Sequence, residues 1–95
     1  MTQTQLRVNN RTGLHARPAK LFTAEAKKFT CNIYIEKNGD KTVTYNAKSI
    51  FSVLSMGADK GTVLTVYANG ADENEALKAL SELADGNFGE TEESI

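Results

Sequence analysis

Polar and apolar positions alternate along residues 2–8, with Thr4, Leu6 and Val8 on one side and Gln3, Gln5 and Arg7 on the other. This two-residue period predicts a half-buried strand. The run Asn9-Asn10-Arg11-Thr12-Gly13 is rich in turn formers. From Ala16 to about Lys28 the period becomes helical: Ala19, Phe22, Ala26 and Phe29 recur at three- and four-residue spacing, Leu21 broadens the stripe, and Lys20, Glu25, Lys27 and Lys28 take the outer side. Residues 32–37 predict a second strand with Ile33 and Ile35 inward. Asn38-Gly39 is a strong hairpin signal, because a type I′ turn needs two positive φ angles. Asp40 and Lys41 separate it from a third strand at residues 42–45, which leaves the hairpin register open.

Asn46 or Ala47 opens a short helix that runs to about Met56 and is stopped by Gly57. Its buried stripe is read as Ile50, Val53 and Leu54; Phe51, roughly 100° round from Ile50, cannot share their full burial. A fourth strand at residues 62–68 turns Leu64, Val66 and Ala68 to one face. Asp72 is placed as N-cap of the last helix, with Glu75 completing a capping box. Ala76, Leu77, Leu80, Leu83 and Ala84 form the cleanest amphipathic stripe, and Gly86 is the stop. Residues 87–95 are polar and acidic and are read as frayed. The order β-α-β-β-α-β-α, with one-sided strands and one-sided helices, predicts an α+β fold: an antiparallel sheet covered by helices on a single face, each β-α-β unit split by another strand.

Ninety-five residues make one domain. It is expected to span residues 1–88, with an acidic flexible tail at 89–95. No stretch suits a transmembrane helix or a signal peptide, so a cytoplasmic protein with no membrane insertion is expected; a monomer is expected as well. The single cysteine, Cys31, cannot close an intramolecular disulfide and is read as a small buried hydrophobe or a strand-edge residue.

A net charge of −1 excludes a strongly basic nucleic-acid binder. The distribution is uneven: residues 1–60 hold ten of the eleven Lys and Arg against four acids, and the remainder holds Lys78 against eight acids. Either the folded surface is basic on one side, suiting an acidic partner, or folding interleaves the halves and erases the asymmetry.

The only histidine and the only proline share the run Gly13-Leu14-His15-Ala16-Arg17-Pro18. Glycine lets the chain turn sharply, and proline is tolerated in the first turn of a helix. The run reads as a loop delivering an imidazole to a helix N-terminus, where unpaired N–H groups and the dipole favour an anion and Arg17 adds positive charge. A lone histidine is ordinarily a surface or capping residue. A metal site would need further ligands near His15, and a serine or cysteine triad a nucleophile and an oxyanion hole; neither constellation is present in the sequence. What remains is the imidazole as nucleophile: an ordinary pKa of about 6.5 leaves a ring nitrogen available at cell pH.

The run Gly13-Leu14-His15-Ala16-Arg17-Pro18-Ala19 resembles the active-site signature of HPr, the histidine-containing phosphocarrier family of the bacterial phosphoenolpyruvate-dependent phosphotransferase system. Asn46-Ala47-Lys48-Ser49-Ile50 through Ser55-Met56-Gly57, with Lys60-Gly61, and Ala71-Asp72-Glu73-Asn74-Glu75-Ala76-Leu77 are similar to two further family segments, in the same order. The resemblance implies an open-faced β-sandwich with strand order 1-4-2-3. It implies that His15 accepts a phosphoryl group at Nδ1 from enzyme I and passes it to enzyme IIA domains, with Arg17 steadying the phosphate, Ala16 and Thr12 positioning it, and no cofactor or metal. It places Ser49 at the family's regulatory serine, a substrate of HPr kinase in some bacteria; the plainer reading is a helix-start serine bonded to backbone. It favours Ile50, Phe51 and Leu54, rimmed by Arg17, Lys20, Lys27 and Lys48, as a docking patch rather than core. The span from His15 to Ser49 is a few residues longer than in typical sugar-branch members, the excess lying at residues 38–46, and Ala84-Asp85-Gly86-Asn87-Phe88 is similar to the nitrogen-regulatory branch. Two other functions compete. One is a regulatory binding module, although a non-catalytic paralogue would be expected to lose His15; the other is an acylphosphatase-like hydrolase, for which only fragments of a phosphate site are present.

Overall fold

The computed structural model describes residues 1–89. The elements are β1 (Thr2–Arg7), α1 (Ala16–Ala26), β2 (Asn32–Lys37), β3 (Asp40–Asn46), α2 (Ile50–Ser55), β4 (Val63–Asn69) and α3 (Glu73–Asp85), followed by a 3₁₀ turn at Asn87–Gly89. The four strands form one antiparallel sheet in the order β1-β4-β2-β3. The expected α+β open-faced sandwich is what the chain adopts. β4 lies inside the sheet, its Leu64 opposite Leu6 and its Val66 and Ala68 opposite Ile35 and Ile33. These side chains share one face, and with Ala19, Phe22, Val53, Ala76, Leu80 and Ala84 of the helices they make a single buried core. On the opposite face, β2 and β4 present Tyr34 and Tyr67 as a stacked pair 5.2 Å apart, with the Tyr67 hydroxyl donating to the largely buried Glu36 carboxylate at 2.7 Å.

The hairpin resolves the open register. Asn38 and Gly39 both take positive φ and form a two-residue loop, so Lys37 faces Asp40 and the third strand starts at Asp40 rather than at residue 42. The extra length is absorbed further along: between Lys37–Asp40 and Ile35–Tyr45 the register slips, and β3 bulges outward with residues 40–44 exposed. A bulged, exposed outer strand makes a poor template for a further strand.

Three expectations are corrected. The second helix opens at Ile50, not at residue 46 or 47. Ala47 N–H instead donates to the Ile33 carbonyl at 3.1 Å, and the Asn46 side chain accepts from Lys48 N–H at 2.9 Å, holding residues 46–48 in a turn. In the resulting six-residue helix only Val53 is buried; Ile50 is half-buried and Leu54 is exposed. Asp72 does precede α3, but its carboxylate does not cap the helix and no capping box forms with Glu75. The carboxylate accepts from Thr30 and Cys31 N–H at 2.8 and 2.9 Å, tying the approach to β2 onto the start of α3. Glu73 supplies the local contact, accepting from Gly70 N–H at 3.1 Å. Residues 87–89 are not frayed: Phe88 is fully buried, its ring 5.9 Å from that of Phe22. Residues 90–95 of the expected acidic tail lie outside the described residues. Cys31 is buried in the core, and burial pushes its thiol pKa up.

Removing the Phe88 ring leaves a cavity beneath α1, so Phe88→Ala is expected to cost about 3–5 kcal/mol in urea unfolding. A loss below 1 kcal/mol would place Phe88 outside the cooperative core. A second expectation concerns acid. The N–H of Thr30, chiefly, and that of Cys31 hold the Asp72 carboxyl below its usual value. A depressed folded-state pKa stabilises fully above the unfolded value of about 3.9 and loses that contribution as pH falls through the folded value. Asp72→Asn should therefore be less stable than the parent at pH 7, with the difference shrinking as pH falls below about 4. A difference that stays constant across that range would refute the assignment.

Candidate functional site

His15 is the last residue before α1, in extended conformation at the N-cap position, and its own side chain does not cap the helix. The imidazole therefore projects from the helix start, with 37 % of the side chain exposed. The first-turn N–H groups of α1 have no partner within the helix and face the same end. Ala16, the first helical residue, takes φ +47°, a left-handed conformation that costs a non-glycine residue about 1–3 kcal/mol. Arg17 follows, exposed, and no ion pair holds it among the described residues.

The loop behind the histidine is braced. Asn10, almost fully buried, donates from Nδ2 to the Gly13 carbonyl at 2.6 Å, and Gly13 N–H returns a bond to the Asn10 carbonyl. Leu14 N–H donates to the Ala58 carbonyl at 2.7 Å, joining this loop to the one entering β4. Gly13 makes that approach feasible: at φ +77°, a Cβ there would lie 2.7 Å from the Ala58 oxygen, 2.9 Å from Asp59 Cα and 3.3 Å from His15 Cδ2. The approach brings Asp59 Oδ1 to 2.9 Å from His15 Nε2. Thr12 lies exposed in the same loop, one residue before Gly13.

Beside this end runs a shallow groove between α1 and α2, lined by Ala16, Lys20, Thr23, Ala24, Lys27, Ile50 and Leu54. Phe51, 82 % exposed, and Leu54, 40 % exposed, are the large apolar side chains that α2 turns outward. Of the cations expected around this patch, Lys20 and Lys27 line the groove and Arg17 sits at the start of the same helix. Lys48 does not line it: its ammonium donates to the Phe29 carbonyl at 2.7 Å, just beyond α1. Ser49 is the N-cap of α2, half-buried, its hydroxyl accepting from Ser52 N–H at 3.3 Å. Arg17, Lys20, Lys27 and Lys28 are exposed on or just after α1, whereas Glu75, Glu82 and Asp85 are exposed on α3.

Asp59 and Asn10 are the site residues that sequence reasoning missed. Asn10 lies in a run that reads as a turn, and the Asp59 contact spans 44 residues, which no local period records. Among the described residues, no group of three or more His, Cys, Asp or Glu is placed to hold a metal ion, and no helix is long and apolar enough to cross a membrane.

A helical N-terminus presenting one exposed imidazole, on an antiparallel sheet of order 1-4-2-3, defines a small histidine-bearing α+β protein. Residues 2–85 match the family described as the PTS HPr component phosphorylation site, and the chain belongs to that family of phosphotransferase-system phosphocarriers. It is 46 % identical over 81 residues to the HPr-like protein Crh of Bacillus subtilis, covering 85 % of this chain and 92 % of Crh. It is 39 % identical over 92 residues to the phosphocarrier protein HPr of Neisseria meningitidis, covering 97 % of this chain and all of the relative. The crystal structure of HPr-C-His from Thermoanaerobacter tengcongensis superposes with a TM-score of 0.88 at 43 % identity, over 96 % of this chain and 99 % of that one. A structure described as an HPr dimer from the same organism aligns with a TM-score of 0.72 at 44 % identity, over 95 % of this chain and all of that one.

Proposed function

We propose that His15 carries a phosphoryl group, received from enzyme I and passed to enzyme IIA domains in the cytoplasm for carbohydrate uptake. The observation that supports this best is the placing of a half-exposed imidazole at the N-terminus of α1, beside Arg17, in a chain of this family. A ring nitrogen with a free lone pair attacks phosphorus in line. The first-turn N–H groups, including that of Ala16, and the Arg17 guanidinium spread the charge of the three oxygens, with Thr12 contributing from the preceding loop. No cofactor is required for such a transfer. Phosphoryl transfer between two proteins also needs a docking surface. Ile50, Phe51 and Leu54, with Lys20 on the facing helix, supply an apolar centre with a basic rim suited to an acidic partner. That patch serves a monomer meeting successive partners.

Ser49 is proposed as a second, regulatory phosphorylation site for an HPr kinase. A phosphate there carries about −1.5 to −2 charges at the edge of the patch, immediately before Ile50 and Phe51, and would repel an acidic partner. The likeness to Crh favours a second reading, a regulatory module that binds its targets through the same patch according to its phosphorylation state.

Incubation with enzyme I and phosphoenolpyruvate tests the carrier reading. Acid-labile, base-stable label is expected on the parent protein and absent from His15→Ala; label that persists in the variant overturns His15 as acceptor. No label on the parent with enzyme I of either the sugar or the nitrogen branch leaves the binding module as the function. The docking patch has its own test. Phe51→Glu should slow transfer by roughly 30-fold, the equivalent of a hot spot of about 2 kcal/mol, with the melting temperature unchanged. Arg17→Glu should slow it while leaving the circular dichroism spectrum intact. Parent-like rates in Phe51→Glu would remove the patch from the docking surface.

A further inference from the structure

We propose that Asp59 is a positioning residue that keeps a proton on His15 Nε2, so that in the neutral ring the Nδ1 lone pair is the one free to take the phosphoryl group. The proposal rests on the carrier reading of His15 and deepens it. Asp59 Oδ1 lies 2.9 Å from His15 Nε2. An ionised carboxylate can only accept, so the proton of that bond belongs to the imidazole nitrogen. With Nε2 protonated, the neutral ring has its lone pair on Nδ1.

The carboxylate is 83 % exposed, and an ion pair that open to water adds little stability. The turn that presents it is nevertheless held at several points. Leu14 N–H donates to the Ala58 carbonyl at 2.7 Å, Gly61 N–H to the Val8 carbonyl at 2.7 Å, and Thr62 N–H to the Asp59 carbonyl at 3.0 Å. The missing side chain of Gly13 lets His15 and Asp59 come together over its Cα. These contacts fix backbone on both sides of the pair, so the pairing follows from the fold rather than from a chance meeting of two surface side chains.

The consequence is chemical balance in both halves of the carrier cycle. On loading, the Nδ1 lone pair forms the bond to phosphorus as the bond from phosphorus to the donor breaks and its electron pair leaves with the donor. The ring becomes cationic, with its Nε2–H still facing the Asp59 carboxylate. On unloading, the acceptor's lone pair bonds to phosphorus and the N–P electron pair returns to Nδ1. The ring leaves as neutral imidazole, because its other proton never moved. A ring that had lost the Nε2 proton would have to leave as imidazolate, a far poorer leaving group. Asp59 thus does for this imidazole what a carboxylate does in other histidine sites, where the hydrogen bond at one nitrogen decides the chemistry of the other.

The test combines tautomer and rate. In ¹⁵N-labelled protein in alkaline buffer, long-range proton–nitrogen correlation spectra of His15 should show the proton on Nε2 in the parent, and averaging between the nitrogens in Asp59→Ala. The same variant should load from enzyme I and unload to enzyme IIA at least roughly tenfold more slowly. Its melting temperature should match the parent, and Lys60→Ala, a charge change in the same turn, should show neither effect. A parent-like tautomer or parent-like rates in Asp59→Ala overturn the proposal. The ring spectra are read without any partner, so failure of the carrier reading, seen as no label on His15, is distinguishable from failure of the Asp59 assignment.

Discussion

The meeting of two loops at Gly13 is the constraint on which the rest of the site depends. One loop leaves β1 and ends in His15; the other leaves α2 and enters β4. Their backbones are joined by the bond from Leu14 N–H to the Ala58 carbonyl, at a separation that a single Cβ at residue 13 would abolish. Because β1 and β4 are paired neighbours along six residue pairs, the sheet already brings these two loops to the same end of the molecule. The glycine converts proximity into contact. His15 then has a carboxylate at Nε2, while α1 begins at the very next residue.

What surrounds this contact divides into parts that local pattern dictates and parts that it does not. The alternation around Leu6, Ile33, Ile35, Leu64 and Val66 is legible because strand burial repeats every second residue, and the Ala76–Leu80–Ala84 stripe because helix burial repeats every third or fourth. The histidine loop is legible from composition, since glycine, proline and the lone histidine fall together. Asp72 shows the limit of such reading. Its place before α3 is correct, but a carboxylate accepts from whichever N–H groups are offered, and Thr30 and Cys31 are offered by a loop about 40 residues away. Phe88 is a lone aromatic in a polar run and generates no period, yet it fills the space above Phe22. Asp59 is hidden for the same reason as Asp72: its partner is set by topology.

The late start of α2 ties these local details to the surface. Because Ser49 is extended, at φ −109° and ψ 118°, and caps the helix through its hydroxyl, the helix keeps only the six residues from Ile50 to Ser55. Six residues make fewer than two turns, enough to seat Val53 in the core and too few to bury a full stripe. Phe51 and Leu54 are left facing outward, where burial on folding cannot reach them and burial by a partner can.

The same logic links the apolar patch to the charge around it. α1 ends near Lys27 and Lys28 and α2 begins near Lys48, but these three ammonium groups have different surroundings. Lys28 pairs with Glu25 at 3.1 Å and Lys48 is held by the Phe29 carbonyl, so each already has a partner within the chain. Lys20 and Lys27 line the groove itself, next to Ile50 and Leu54. This face therefore presents an apolar centre with two exposed cations at its edge, and Arg17 at the start of α1. On the docking proposed above, desolvating the apolar centre would supply affinity, and the exposed cations, screened only by water and salt, would steer an acidic surface toward the imidazole. The proposed docking patch and the proposed phosphate site thus lie side by side on one helix pair, so a change that weakens one need not unfold or disable the other.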